Sequence, residues 1–170
     1  MLNRPEIACR LLEKHELPLV RQVADVVWPA TFRAILSQEQ VDYMMEMMYG
    51  AEVLAREFDA GVEYHGVFDG ARVIGYISIG PCDASKEITK LHKCYLLPEY
   101  HGRGIGSAML QHAIELGRRR GSRAMRLNVN RKNQRAIRAY IRNGFKTIQN
   151  VDKPIGNGFY MNDYVMEVTL

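Results

Sequence analysis

Apolar and polar positions keep one rhythm in the first third of the chain and another afterwards. Residues 6–12 read as a short opening strand. From 16 to 58 the pattern is helical. Pro18 suits a first helical turn, Leu19, Val23, Val26 and Val27 recur at helical spacing, and Trp28-Pro29 predicts the end of that helix. Ser37-Gln-Glu-Gln40 has the form of a capping box with Ser37 as N-cap. It predicts a helix through Met48, stopped by Gly50. A shorter helix at about 51–58 ends before Gly61.

Beyond that point the period becomes two. Val62–Phe68 and Ala71–Ile79 flank Asp69-Gly70, a type I′ hairpin signal, and Gly80-Pro81 closes the pair. Glu87–Leu97 reads as a strand ended by Pro98, with Lys90, His92 and Cys94 on one face and Thr89, Leu91 and Lys93 on the other. A glycine-rich loop, 101–106, leads into a helix from Ser107 to about Arg120, ended by Gly121. Met125, Leu127 and Val129 point inward from a strand at 124–129. Asn133 caps a helix that Gly144 ends. Phe145–Val151 and Phe159–Leu170 are the last strands, joined by Lys153–Gly158. No repeat, low-complexity segment or linker divides 1–170. The order predicts a single α+β domain with a mixed sheet of about seven strands.

Composition narrows the function classes. The chain has 170 residues, 47% of them hydrophobic and 25% charged, enough to bury a core and too apolar for a disordered tail. Lys and Arg outnumber Asp and Glu by 23 to 19, a net charge of +4 that suits an anionic partner without naming one. Cys9, Cys82 and Cys94 form no CxxC pair and no metal-ligand spacing, so neither a disulfide framework nor a metal is expected. Apolar runs fall short of the ~20 residues that span a bilayer. Arg4, Glu6 and Arg10 stand where a signal peptide needs an apolar stretch. The expectation is a cytoplasmic protein with no membrane partner.

The most informative segment is Leu96-Leu-Pro-Glu-Tyr-His-Gly-Arg-Gly-Ile-Gly-Ser107. A strand stops, a glycine-rich turn follows and a helix begins at once. Free backbone N–H groups and the positive helix end then converge on one point, a ready anion site. Gly102, Gly104 and Gly106 omit the Cβ atoms that would hold a phosphate off the backbone, and Arg103 adds charge. The spacing is neither a P-loop, which needs a Lys, nor GxGxxG, whose third glycine is misplaced here.

His101-Gly-Arg-Gly-Ile-Gly106 resembles motif A of the GCN5-related N-acetyltransferases (GNAT superfamily), which usually begins with Gln or Arg where His101 stands. Leu127-Asn-Val-Asn-Arg-Lys-Asn133 through Tyr140 to Gly144-Phe145 resembles motif B. The resemblance spans the chain. It implies the GNAT fold, a mostly antiparallel mixed sheet with flanking helices and splayed central strands, here 87–97 and 124–129. It also implies acetyl-CoA as cosubstrate. Its pantetheine arm would lie along Cys94 and Leu96, and its pyrophosphate on His101, Gly102, Arg103, Gly104, Ile105, Gly106 and Ser107. Asn133 and Tyr140 share a helix face, being nearly two turns apart. Asn133 reads as an N-cap or as a ligand to the amide-rich arm. Tyr140 reads as a core aromatic or, following the family, as the acid that protonates the leaving thiolate.

The acceptor must attack as a neutral amine, although an alkylammonium has a pKa of about 10.4. Some base must take its proton. His92 is the candidate, with Glu87 as the fallback. Cys94 invites a covalent acyl-enzyme reading, against which direct transfer is the family habit. Met44, Met45, Met47 and Met48 offer an adaptable wall for an alkyl amine or ordinary core packing. Asp42, Glu46, Glu52, Glu57 and Asp59 either attract a polycation or solvate outer faces.

The segments 28–32 and 156–166 resemble a bacterial subgroup that includes spermidine/spermine acetyltransferases. A polyamine or other small primary amine is therefore the expected acceptor. Protein N-terminal acetylation of the ribosomal type and non-catalytic acyl-CoA binding are the alternatives. Arg118, Arg119, Arg120, Arg123, Arg126, Arg131, Lys132, Arg135, Arg138 and Arg142 form a basic face, but no aromatic residues are interleaved for base stacking. No nucleic-acid partner is expected, and some of these cations would meet the CoA 3′-phosphate. The last strand pair offers an edge for a possible homodimer.

Overall fold

The computed structural model describes residues 7–170. Glu6, at the head of the predicted first strand, lies outside them, as does Arg4. In chain order the elements are β1 (Ile7–Leu11), α1 (Pro18–Phe32), α2 (Gln38–Tyr49), α3 (Ala51–Asp59), β2 (Glu63–Asp69), β3 (Arg72–Pro81), β4 (Ile88–Leu96), α4 (Ile105–Arg119), β5 (Ala124–Asn130), α5 (Gln134–Arg142), β6 (Lys146–Gly156) and β7 (Phe159–Thr169). The seven strands make one sheet in the order β1-β2-β3-β4-β5-β7-β6. Every neighbouring pair is antiparallel except β4 with β5. This is the expected α+β fold.

The parallel pair positions the site. β4 and β5 are paired only where Ile88–Leu91 meets Ala124–Leu127. Past Leu91 and Leu127 the strands diverge, and the backbone between them loses its ladder. A bulge adds to this. Leu91 pairs with Ile79 and Lys93 with Ser78, so His92 is the extra residue. The bulge also corrects the expected alternation, because Leu91 and Lys93 end on opposite faces of the sheet. Lys93 reaches Glu57 of α3, Nζ to Oε2 2.7 Å, and the ring of Tyr49 in α2. Cys94 turns to the other side.

Three further expectations are corrected. Pro29 does not end α1. The helix runs to Phe32, and Arg33 N–H still donates to Pro29 O at 3.1 Å. The proline removes one hydrogen bond, but Trp28 and Phe32 are both buried, with ring centroids 4.4 Å apart. Trp28 Nε1 also donates to Tyr49 Oη at 3.0 Å, and Tyr76 Oη donates to the same oxygen at 2.6 Å. That anchored aromatic cluster outweighs a single lost backbone bond. The buried stripe of α1 is Val20, Val23, Ala24 and Val27, while Val26 faces out.

The first hairpin turns on Gly70-Ala71 rather than Asp69-Gly70, with positive φ at Gly70 alone, the II′ pattern. In the last hairpin the strands run on to Gly156 and Phe159, and the turn is Asn157-Gly158, both at positive φ. Pro154 is accommodated because β6 is an edge strand. The apolar core is one continuous cluster on both faces of the sheet. Among the described residues no helix is long and apolar enough to cross a membrane.

Candidate active site

The splay between β4 and β5 opens into a cavity of about 470 Å³. One end is the glycine-rich loop. Gly102 and Gly104 take φ of +77° and +79°, and Gly104 is the N-cap of α4. Those angles demand glycine for backbone reasons alone. Gly106 differs. Its φ is ordinary, it sits in the first turn of α4, and a Cβ built there meets nothing within 4 Å. No protein packing requires a glycine at 106, and the open space lies over the free N–H groups of the helix start. The loop is tied back to its strand by His101, whose Nε2 lies 2.8 Å from Leu96 O. Burial lowers the His101 pKa, with the Arg135 charge adding to it.

Of the expected cofactor residues, Cys94, Leu96, His101, Gly102, Gly104, Gly106, Ser107, Asn133 and Tyr140 all line the cavity, as does His92. Arg103 and Ile105 do not. Arg103 stacks 5.1 Å over the ring of Tyr100, and Ile105 packs against the core. Glu87 also lies outside the cavity. It is exposed before β4 begins and meets Arg123 at 3.3 Å.

Asn133 caps α5 through an Oδ1 bond from Ala136 N at 3.3 Å while also lining the cavity. Tyr140 sits edge-on to Phe145, centroids 5.7 Å apart. Burial raises its pKa well above 10, with the neighbouring Cys94 and Tyr95 adding to the effect. Its phenol therefore keeps its proton. Burial pushes the Cys94 thiol up to about 12. A thiol held so firmly protonated is a poor nucleophile, which weighs against a covalent acyl-enzyme. His92 is exposed in its bulge, but partial desolvation of its ring by the surrounding protein pulls its pKa down to about 4, with the nearby Lys93 charge second. It is a neutral imidazole at neutral pH.

Sequence reasoning missed three polar lining residues, Asn128 and Asn130 from the splayed end of β5 and Asp163 from β7, whereas Arg135 and Arg142, which also line the cavity from α5, belong to the basic face already singled out. Asp163 is 5% exposed and is the only carboxylate of the lining among the described residues. Burial raises its pKa, opposed by a bond from Asn128 and by the charges of Lys90 and Arg131. The available signal was a lone acid, next to Asn162, among the apolar and aromatic residues of Phe159–Met166. By contrast, none of Asp42, Glu46, Glu52, Glu57 and Asp59 lines the cavity. Glu46 pairs with Arg21, Glu57 with Lys93 and Asp59 with Lys14. Of the four methionines expected to form a wall, Met44 and Met48 reach the cavity, one helical turn apart, and Thr31 and Gln40 also line it.

The basic face is likewise mostly committed. Arg118 and Arg119 meet Glu115, Arg120 meets Glu63, Arg123 meets Glu87, Arg126 meets Glu167 and Arg131 meets Asp152. Such pairing suits a solvated surface better than a phosphate-tracking groove. Arg135 and Arg142 remain as the cations bordering the cavity.

Comparison with known proteins agrees with this geometry. The sequence model of the acetyltransferase (GNAT) family matches residues 24–145. A spermidine N(1)-acetyltransferase of Thermoplasma acidophilum is 29% identical over 160 residues, covering 91% of this chain and 95% of that protein. A crystal structure of PaiA N-acetyltransferase from Thermoplasma acidophilum in complex with coenzyme A superposes with a TM-score of 0.81 at 26% identity. The match covers 97% of this chain and 99% of that one. The ribosomal-protein-S18-alanine N-acetyltransferase of Escherichia coli shares the fold at a TM-score of 0.72 and 16% identity, over 96% and 94% of the two chains.

Proposed function

Because the chain belongs to the GNAT family of acetyltransferases, we propose that it moves an acetyl group from acetyl-CoA to a primary amine, with a polyamine as the leading acceptor. The carrying observation is the continuous cavity that runs from an open glycine-lined helix start to a lone buried carboxylate, between strands that have lost their pairing. The two ends have opposite chemistry. The helix start, with Arg135 and Arg142 nearby, suits phosphates. Asp163, with the Met44 and Met48 side chains, suits an ammonium on an alkyl stem.

In this reading the pyrophosphate takes the N–H groups of residues 102–107, and the pantetheine arm pairs with the unladdered edge of β4 at Cys94 and Leu96. Asn133 can offer its Nδ2 donors to that arm, since its cap uses only Oδ1. Asp163 holds the cationic amine. The attacking nitrogen must shed a proton, and His92, neutral in its bulge, can accept one directly or through water. Its low pKa makes it a weak base, so a water chain to Asp163 shares that role. The amine nitrogen then bonds to the thioester carbon and the carbon–sulfur bond breaks. Tyr140 donates a hydrogen bond to the departing sulfur. A raised phenol pKa favours that bond over full proton transfer to a thiolate of pKa ~8.5. The spermidine N(1)-acetyltransferase relative supports the polyamine choice. β6 leaves an open edge on which a second copy would add.

The test is thiol release from acetyl-CoA across a panel of spermidine, spermine, other alkyl amines and N-terminal peptides. Turnover with polyamines above the rest is expected. Turnover with peptides alone would overturn the acceptor, and acetyl-CoA binding without any turnover would overturn the enzyme reading for this panel.

A further inference from the structure

On the face of the sheet that carries Cys94, away from the cavity, three side chains from distant parts of the chain meet. Cys9 comes from β1, His65 from β2 and His112 from α4. A ligand-capable atom from each lies within 4.8 Å of the other two. None of the three lines the cavity. His65 is buried, and its ring packs edge-on to that of His112 at 5.7 Å between centroids. His112 Nε2 is buried and has no hydrogen-bond partner. Buried polar atoms are nearly always satisfied, so an orphan nitrogen on an imidazole that stands beside a thiol and a second imidazole calls for a partner.

We propose that Cys9, His65 and His112 form a site for a divalent transition-metal ion, zinc foremost, that fastens β1 and β2 to α4. The donor set is one thiolate and two imidazoles, the mixture that zinc favours. Zinc–sulfur and zinc–nitrogen bonds of about 2.3 and 2.0 Å put tetrahedral donors about 3.5 Å apart. The three donor atoms lie within 4.8 Å of one another, so binding an ion requires the side chains to draw together by roughly 1 Å. The Glu63 carboxylate lies 3.3 Å from His65 Nε2, where it can orient that ring. Cys9 and His112 are each half-buried, so an ion has a way in, and water or an added ligand can take the fourth position. Burial pushes the Cys9 thiol up to about 11. As the sulfur–metal bond forms, that thiol proton leaves to solvent, and the metal supplies the charge that burial denies to a free thiolate. The sequence carries no spacing signal for this site because its three ligands meet only through the β1–β2 ladder and the packing of α4.

The test uses the full chain, stripped with a chelator and titrated with Co²⁺, then with Zn²⁺. Saturable uptake of one Co²⁺ per chain is expected, with a thiolate-to-cobalt charge-transfer band that Zn²⁺ abolishes. Cys9→Ala should remove the band, and both Cys9→Ala and His112→Phe should weaken Zn²⁺ at least tenfold, while Cys82→Ser changes neither. Zn²⁺ should raise the Tm of the unsubstituted protein and of Cys82→Ser only. Circular dichroism checks that each variant is folded. Should Cys9→Ala not fold, alkylation of the unsubstituted chain read by mass spectrometry decides, with Zn²⁺ expected to protect Cys9. No saturable uptake, a band that survives Cys9→Ala, or no protection of Cys9 would overturn the proposal. Each readout is independent of acetyl transfer.

Discussion

Gly106 separates what the protein needs from what a ligand needs. It occupies the first turn of α4 with ordinary φ, and a Cβ there meets nothing within 4 Å. Glycine in a helix interior costs about 1 kcal/mol against alanine, and in a first turn about half of that. Gly106→Ala should therefore stabilise by about 0.5 kcal/mol, a Tm rise of about 1–2 °C for a chain of this size. Helical Cβ bonds tilt toward the N-terminus, so a longer side chain at 106 would lie over the exposed N–H groups. Gly106→Leu should keep its Tm within about 2 °C of the unsubstituted protein while obstructing the phosphates. Losing one N–H bond to a charged oxygen costs about 1.5–3 kcal/mol, which weakens acetyl-CoA binding about 10- to 100-fold. Differential scanning calorimetry and isothermal titration calorimetry on the Gly, Ala and Leu series measure both quantities. Unchanged acetyl-CoA affinity in Gly106→Leu would refute the phosphate seat. A fall in Tm alongside the lost affinity would refute the claim that the space is empty.

Other expected outcomes follow from the same geometry. Tyr140→Phe should lower kcat at least tenfold with acetyl-CoA Kd within about threefold, because in the proposed mechanism its hydroxyl bonds the departing sulfur; equal kcat would remove that role. Asp163→Asn should raise the polyamine KM and, unusually for a site residue, raise Tm at neutral pH. Its folded pKa is raised, so the folded state binds the proton more tightly and stability falls as pH climbs from the unfolded value near ~3.9 through the raised one; an unaltered Tm at pH 7 would contradict the burial cause. Lys93→Ala should destabilise by about 2 kcal/mol, or about 4–8 °C, because it leaves the Glu57 carboxylate beside Tyr64 without its cation; thermal melts check it. If His92 accepts the proton, the acid limb of kcat/KM that it controls should lie near 4 rather than 6.5, and a limb near 6.5 lost in His92→Gln would contradict its low pKa.

Much of the fold was legible because its signals are local. Ser37 accepts from Gln40 N at 3.2 Å, as the capping pattern predicts, and Gly50, Gly121 and Gly144 stand at the ends of α2, α4 and α5. The glycine-rich loop and the Asn133–Tyr140 spacing marked two sides of the cavity for the same reason. Each is set within one turn or one helix.

What escaped was decided by contacts between distant segments. Pro29 is a helix breaker in its own sequence, but Trp28 and Phe32 lock it inside α1 through Tyr49 and Tyr76. Period two in β4 is correct until a bulge against β3 turns His92 out and reverses the faces on either side. The acidic run at 42–59 read either as an amine-attracting patch or as solvated outer faces, and Arg21, Lys93 and Lys14, from other elements, pair with Glu46, Glu57 and Asp59 of it. Asp163 became the cavity's carboxylate because β7 lies beside the splayed end of β5. Local pattern along the chain was enough for the order of elements, the glycine-rich turn and the family. Tertiary structure decided which charges stay free, because an ionic or metal-binding group finds its partner by position in space and not by spacing along the chain.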